Sequence, residues 1–156
     1  MTAIRRRAWW LLLGLIAIFG LFATGDIAAG IAFEPRTVIS LTGRTVDQLQ
    51  AESASAYRML DYVVRAGGIT FVMLAVVLVA ILLVPYRAGQ RWAWWTMWLF
   101  PAWMAAVLVL NTATGTAPGQ GLSDTATSAP VILVISAAVL LVDRSRFGSG
   151  ASVANH

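Results

Sequence analysis

The sequence contains no cysteine and no lysine, and its one histidine is the final residue, His156. Lack of cysteine excludes disulfides, thiolate nucleophiles, iron–sulfur clusters and thiolate zinc sites. With histidine confined to the end of the chain, a His-based metal site or a catalytic triad has nothing to draw on. We therefore expect no cofactor, no metal and no enzymatic activity. Charge is scarce as well, at 12% of residues, about half of what a soluble domain carries. What abounds is apolar: 59% of the 156 residues are hydrophobic and the mean hydropathy is +0.77. Such a balance places the chain in a lipid bilayer as one small helical bundle. The net charge of +4 does not signal nucleic acid, because the arginines are spread over the ends of apolar runs and form no patch.

Four apolar runs set the architecture. Arg5, Arg6 and Arg7 lead into the first, which carries Trp9 and Trp10 near its start and continues to Gly25. About 18 residues make roughly 27 Å of helix, close to the hydrocarbon thickness of a bilayer. A cleaved secretory signal shares the basic start, but this run is long for one and no Ala-x-Ala site follows, which favours a retained span. Beyond Asp26 the chain is apolar again as far as Phe33, extending the first span to about 8–33. The second span, about 67–84, follows Gly67-Gly68, where a bend is expected. A short turn over 85–91 then leads back into a third span, about 92–110, making an antiparallel helical hairpin. Pro101 deprives the carbonyl of Met97 of its donor and predicts a kink. The last run, Val131 to Val142, is only 12 residues. It crosses only if its helix begins earlier, near Ser123 or Ser128, with Pro130 in the first turns; otherwise it is re-entrant or interfacial. The fourth span is placed at about 128–142.

The connecting segments are polar. Residues 34–66 balance Glu34, Asp47, Glu52 and Asp61 against Arg36, Arg44, Arg58 and Arg65, a neutrality that suits an external loop. Thr45-Val46-Asp47-Gln48 has the capping-box spacing and predicts a short helix. A second helix is predicted from near Ser55, supported by Asp61 with Arg65 and Arg58 with Asp61 at helical spacing, running on into the second span. Residues 111–127, rich in Thr, Ser, Gly and Pro, read as the other external loop. Within it Gly121-Leu122-Ser123-Asp124 lacks the last glycine and the base of a nucleophile elbow, and Gly119-Gln120-Gly121 is too sparse for a phosphate loop. The tail after Phe147 is small and polar.

Charge fixes the expected orientation. Seven arginines (5, 6, 7, 87, 91, 144 and 146) and one acid, Asp143, fall at the two termini and the 85–91 turn. Four arginines and five acids fall in the two longer loops, with Asp26 left aside. By the positive-inside rule both termini are cytoplasmic. The fold class is thus all-α: a four-transmembrane-helix bundle with a short helical extracytoplasmic segment between spans 1 and 2.

Three sets of residues stand out. Trp9, Trp10, Trp92, Trp94 and Trp95 form an interfacial aromatic belt at the arginine-rich end. Gly20, Thr24, Ala28 and Ala32 make a small-residue row at i, i+4 spacing, suited to close helix contact. Asp26, about 24 Å along the helix from Trp10, lies near the outer boundary, among headgroups or paired with Arg65; its other reading is an intramembrane ionisable site. Asp26, Arg65, Thr70, Asn111 and Ser136 are the candidate lining of a polar, outward-opening cavity.

The stretch Gly43 to Ser53, then Tyr57-Arg58, then Gln90-Arg91-Trp92-Ala93-Trp94-Trp95 with Pro101-Ala102-Trp103, resembles small four-span bacterial integral membrane proteins. The resemblance covers residues 40 to 105 best. It implies the same architecture in a bacterial plasma membrane and carries over no functional residue. Two functional expectations follow. One is a non-enzymatic accessory or interaction subunit, whose partners are the lipid bilayer and other membrane proteins in a homo- or hetero-oligomer. The other is a binder or transporter of a small molecule, lipid or ion through the polar cavity.

Overall fold

In lipid, an apolar run has no water to satisfy its backbone, so it closes its hydrogen bonds internally as a helix. The computed structural model, which describes residues 3–33, 35–114 and 125–148, is built accordingly, with no strand among the described residues. Its helices are α1 (Ala3–Ala29), continued by a 3₁₀ turn at Gly30–Ala32, then α2 (Pro35–Thr42), α3 (Val46–Glu52) and α4 (Ala54–Ile81). α5 (Arg91–Met97), α6 (Leu99–Ala113) and α7 (Thr125–Gly148) follow. Four stretches, Trp9–Ala32, Ala54–Tyr86, Arg91–Ala113 and Ser128–Ser145, are long and apolar enough to cross a membrane. The chain is an all-α four-helix bundle.

Local sequence explains where these helices start and break. α3 opens on a complete capping box: the Gln48 amide donates to Thr45 Oγ1 at 3.2 Å, and the Thr45 amide donates to Gln48 Oε1 at 2.9 Å. Ser53 caps α4 by accepting from the Ala56 amide. α2 was not anticipated; its signal is Pro35 at the first helical position, where a missing N–H costs nothing. The third span breaks between Met97 and Leu99, at the carbonyl that Pro101 leaves without a donor. α7 spans 24 residues, about 36 Å, with Pro130 in its second turn, so it has the length of a full crossing.

The second span departs from expectation at its far end. Helix α4 continues through Gly67-Gly68 as one α-helix, as expected of a helix that runs on into the span. At Pro85 it does not stop but widens into a π-helical turn, Leu82–Tyr86. The wider turn absorbs a proline that has no N–H to give. The Gln90 amide then donates to the Pro85 carbonyl at 3.0 Å, and Gly89 takes a left-handed φ of +77° to close the loop.

α1 packs chiefly on α4 and secondarily on α7, while α6 packs on α7. The main core holds Leu12, Ile16, Leu78, Leu82, Met97 and Phe100, all at most 2% exposed. At one end of the bundle a second small core of Ile31, Val38 and Leu49 lies under α2 and α3. The 115–124 segment, with Gly119, Gly121, Ser123 and Asp124, and the end of the chain with His156 lie outside the described residues.

Candidate functional site

The most extensive helix pairing in the bundle, α1 on α4, is also a close one. A Cβ built on Gly68 would stand 2.8 Å from the Ala23 carbonyl oxygen and 2.9 Å from Asp26 Cβ. One built on Gly20 would stand 3.1 Å from Ala75 Cβ. Small residues therefore do bring two helices together, though only part of the anticipated row takes part. Of Gly20, Thr24, Ala28 and Ala32, Gly20 packs against α4, while the other three are exposed and Ala28 meets α4 through its backbone carbonyl alone. The reason is angular. A helix turns about 100° per residue, so a strict i+4 row winds about 40° per step and leaves the contact within two steps. The face that is buried instead carries Leu12, Ile16 and Ala23.

Beyond this seam, α4 reaches over and closes the end of α1. Arg65 Nη1 donates to the carbonyls of Ile27, at 2.5 Å, and Ala28, at 3.1 Å. These are among the last carbonyls of α1, which have no partner within their own helix. Arg65 Nε donates to Asp61 Oδ2 at 2.8 Å. Asp61 Oδ1 in turn accepts from the Ile31 amide at 3.1 Å, two residues past the end of α1. Gly30 sits between them at φ +58°, and any side chain on it would overlap the Asp61 carboxylate. The pairing of Asp61 with Arg65 holds as the spacing predicts, whereas Arg58 turns to the Ala54 carbonyl. The sequence shows the ion pair but not its target, which lies 30 to 38 residues away.

The polar candidates do not converge. Asp26 lines a cavity of about 60 Å³ with Phe19, Phe22, Phe71 and Trp103. Arg65 is committed to the end of α1, and its side chain is 42% exposed. Thr70 is exposed and its hydroxyl bonds the Ala66 carbonyl of its own helix. Ser136 is fully buried but likewise bonds its own helix, at Ile132. Asn111 accepts from Thr114 through its backbone carbonyl. None of Thr70, Asn111 and Ser136 lines the Asp26 cavity. Helical Thr and Ser return their hydroxyls to the preceding turn, which is why these two add no polarity to the interior.

The arginine-rich end holds a buried polar contact that sequence reasoning missed. The Tyr86 hydroxyl donates to Asp143 Oδ2 at 2.8 Å, with both residues fully buried. A single acid among the arginines of the last helix was its one visible signal. Beside it Trp94 is buried, its indole N–H bonded to the Leu140 carbonyl at 3.0 Å. Trp94 therefore belongs to the core and not to the aromatic belt; a helix beginning at Arg91 turns that side inward with Ala93 and Met97. Trp10, Trp92 and Trp95 are more than half exposed, as a belt requires, and Trp9 stacks on Trp10 while holding the Arg87 guanidinium over its ring at 4.8 Å. The start of α1, the turn after Tyr86 and the end of α7 thus share one end of the bundle. No protein-family model, curated protein or solved structure matches this chain.

Proposed function

We propose that the chain is a multi-pass protein of a bacterial plasma membrane, with both termini cytoplasmic, acting without a reaction of its own as an accessory or interaction subunit. One observation carries this reading. On the polar stretch of α4, before its apolar run begins, Met59, Tyr62 and Val63 are exposed by 71%, 73% and 57%. Their spacing of three and four places them on one face. Exposed apolar side chains gathered on a polar segment mark a contact surface for another protein. α2 and α3 pack on another face of α4, through Ala56, Tyr57, Leu60 and Val64, and leave this one uncovered.

Size speaks against the polar-cavity alternative for larger ligands. About 60 Å³ is several times below the roughly 300 Å³ at which small-molecule pockets begin. It suits water or a small ion. Asp26 beside that space favours an ion or proton site as the second reading. Asp26→Asn in a reconstituted flux assay decides it, since unchanged flux retires that site.

The interaction reading is tested by complex size in mild detergent together with crosslinking in membranes. Met59→Ser/Tyr62→Ser should shift the native complex to a smaller species, and Ala28→Leu, on the exposed side of α1, should do the same if that side carries the contact. A complex unchanged by all of these substitutions would retire the proposal.

A further inference from the structure

At the arginine-rich end, α5 and α7 diverge around a cavity of about 470 Å³. This is inside the range that accommodates a small organic ligand and several times the space beside Asp26. Its apolar walls include Trp95, Trp98, Leu141 and Phe147, and the arginines Arg91 and Arg144 line it as well. Both arginines are exposed, as is Trp95. The indole N–H of Trp98 is buried and has no acceptor among the described residues.

Two guanidinium groups beside apolar walls are poorly served by hydrocarbon alone. A membrane lipid with an anionic headgroup answers both features. Its phosphate offers the charged oxygens that guanidinium forks grip in pairs. Its chains continue along the apolar walls, Trp98 among them. The one carboxylate that α7 contributes at this end, Asp143, is fully buried against Tyr86 and does not line the cavity. Basic pockets between membrane helices bind anionic headgroups for the same reasons. A neighbouring helix would fill the walls but leave both arginines unanswered, and a neutral lipid would fill them without charge.

We infer that the cavity between α5 and α7 is a binding site for one anionic phospholipid, held at its phosphate by Arg91 and Arg144, with its chains against Trp98 and the other apolar walls. The site is independent of the partner surface on α4 and of the orientation of the chain.

The test uses the full chain in phosphatidylcholine nanodiscs, doped at low mole fraction with brominated phosphatidylglycerol or brominated phosphatidylcholine. Bromine quenches tryptophan on contact. Belt tryptophans report both lipids alike, so the difference between the two belongs to a selective site. Wild type should be half-quenched by the anionic lipid at about one-tenth the mole fraction needed for the neutral one. Arg91→Gln/Arg144→Gln should bring the two curves together, and Trp98→Phe should lower the quenched amplitude from the anionic lipid. Arg36→Gln/Arg44→Gln, at the opposite end, should leave the preference intact. Coincident curves in wild type, or a preference that survives loss of both cavity arginines, would overturn the assignment. If the double variant fails to fold, the wild-type comparison and Trp98→Phe still decide. A preference removed by free inorganic phosphate would also overturn it, by showing an anion site with no need for a lipid.

Discussion

Gly30 and Asp61 contend for one position: the glycine has no side chain where the carboxylate lies, and its left-handed backbone aims the Ile31 amide at that carboxylate. Gly30→Ala adds both a clash and a strained φ, the latter alone worth about 1–2 kcal/mol. Gly43, at φ +70° with nothing near its Cβ position, provides the comparison. Gly30→Ala should lower the thermal midpoint in detergent clearly more than Gly43→Ala, and equal losses would show that the Asp61 contact contributes nothing.

Arg65 is the donor to the open end of α1. Arg65→Gln should cost about 1–3 kcal/mol, since hydrogen bonds from a charged group are lost and carbonyls are left exposed. Hydrogen exchange should rise locally, at the Ile31 amide and its neighbours, before the rest of α1 is affected. Uniform exchange across the bundle would refute a local clamp.

The adjacent glycines of α4 should behave oppositely. A Cβ on Gly67 meets only the Phe71 ring at 3.9 Å, whereas one on Gly68 meets the backbone of α1. Gly67→Ala should be neutral or stabilising by up to about 1 kcal/mol, from helix propensity. Gly68→Ala should destabilise by about 1–3 kcal/mol through overpacking. Thermal unfolding of the two variants side by side separates them, and matching midpoints would contradict the close contact.

Tyr86→Phe removes a donor to a fully buried carboxylate and should cost about 1–3 kcal/mol. Thermal unfolding in detergent measures the loss, and an unchanged midpoint would show that this hydrogen bond contributes nothing.

Much of the fold can be read locally because each apolar run carries its own instruction. Arginine and tryptophan at the ends, Pro101 against Met97, and the Thr45–Gln48 box each act within a few residues. What sequence leaves open is which face of a helix meets which neighbour. Gly67 and Gly68 are indistinguishable as letters, yet a rotation of 100° leaves one open and sets the other against the backbone of α1. Trp94 likewise looks like its exposed neighbours Trp92 and Trp95 until α7 is placed beside it. The candidate site was legible only in part: Arg65 and Asp61 appear as an ion pair, but their grip on Ile27, Ala28 and Ile31 needs the folded chain.

The continuity of α4 through its two glycines has a mechanical result. From Ala54 to Tyr86 the chain is one rod of 33 residues, about 50 Å long, against roughly 30 Å of hydrocarbon. In a bilayer of that thickness the surplus falls outside the hydrocarbon, and the α-helix has no break between the apolar run and the part that carries Met59, Tyr62 and Val63. Thinning or thickening of a bilayer that re-tilts the rod should carry that tip with it, so under the proposed interaction the surface offered to a partner would follow bilayer thickness.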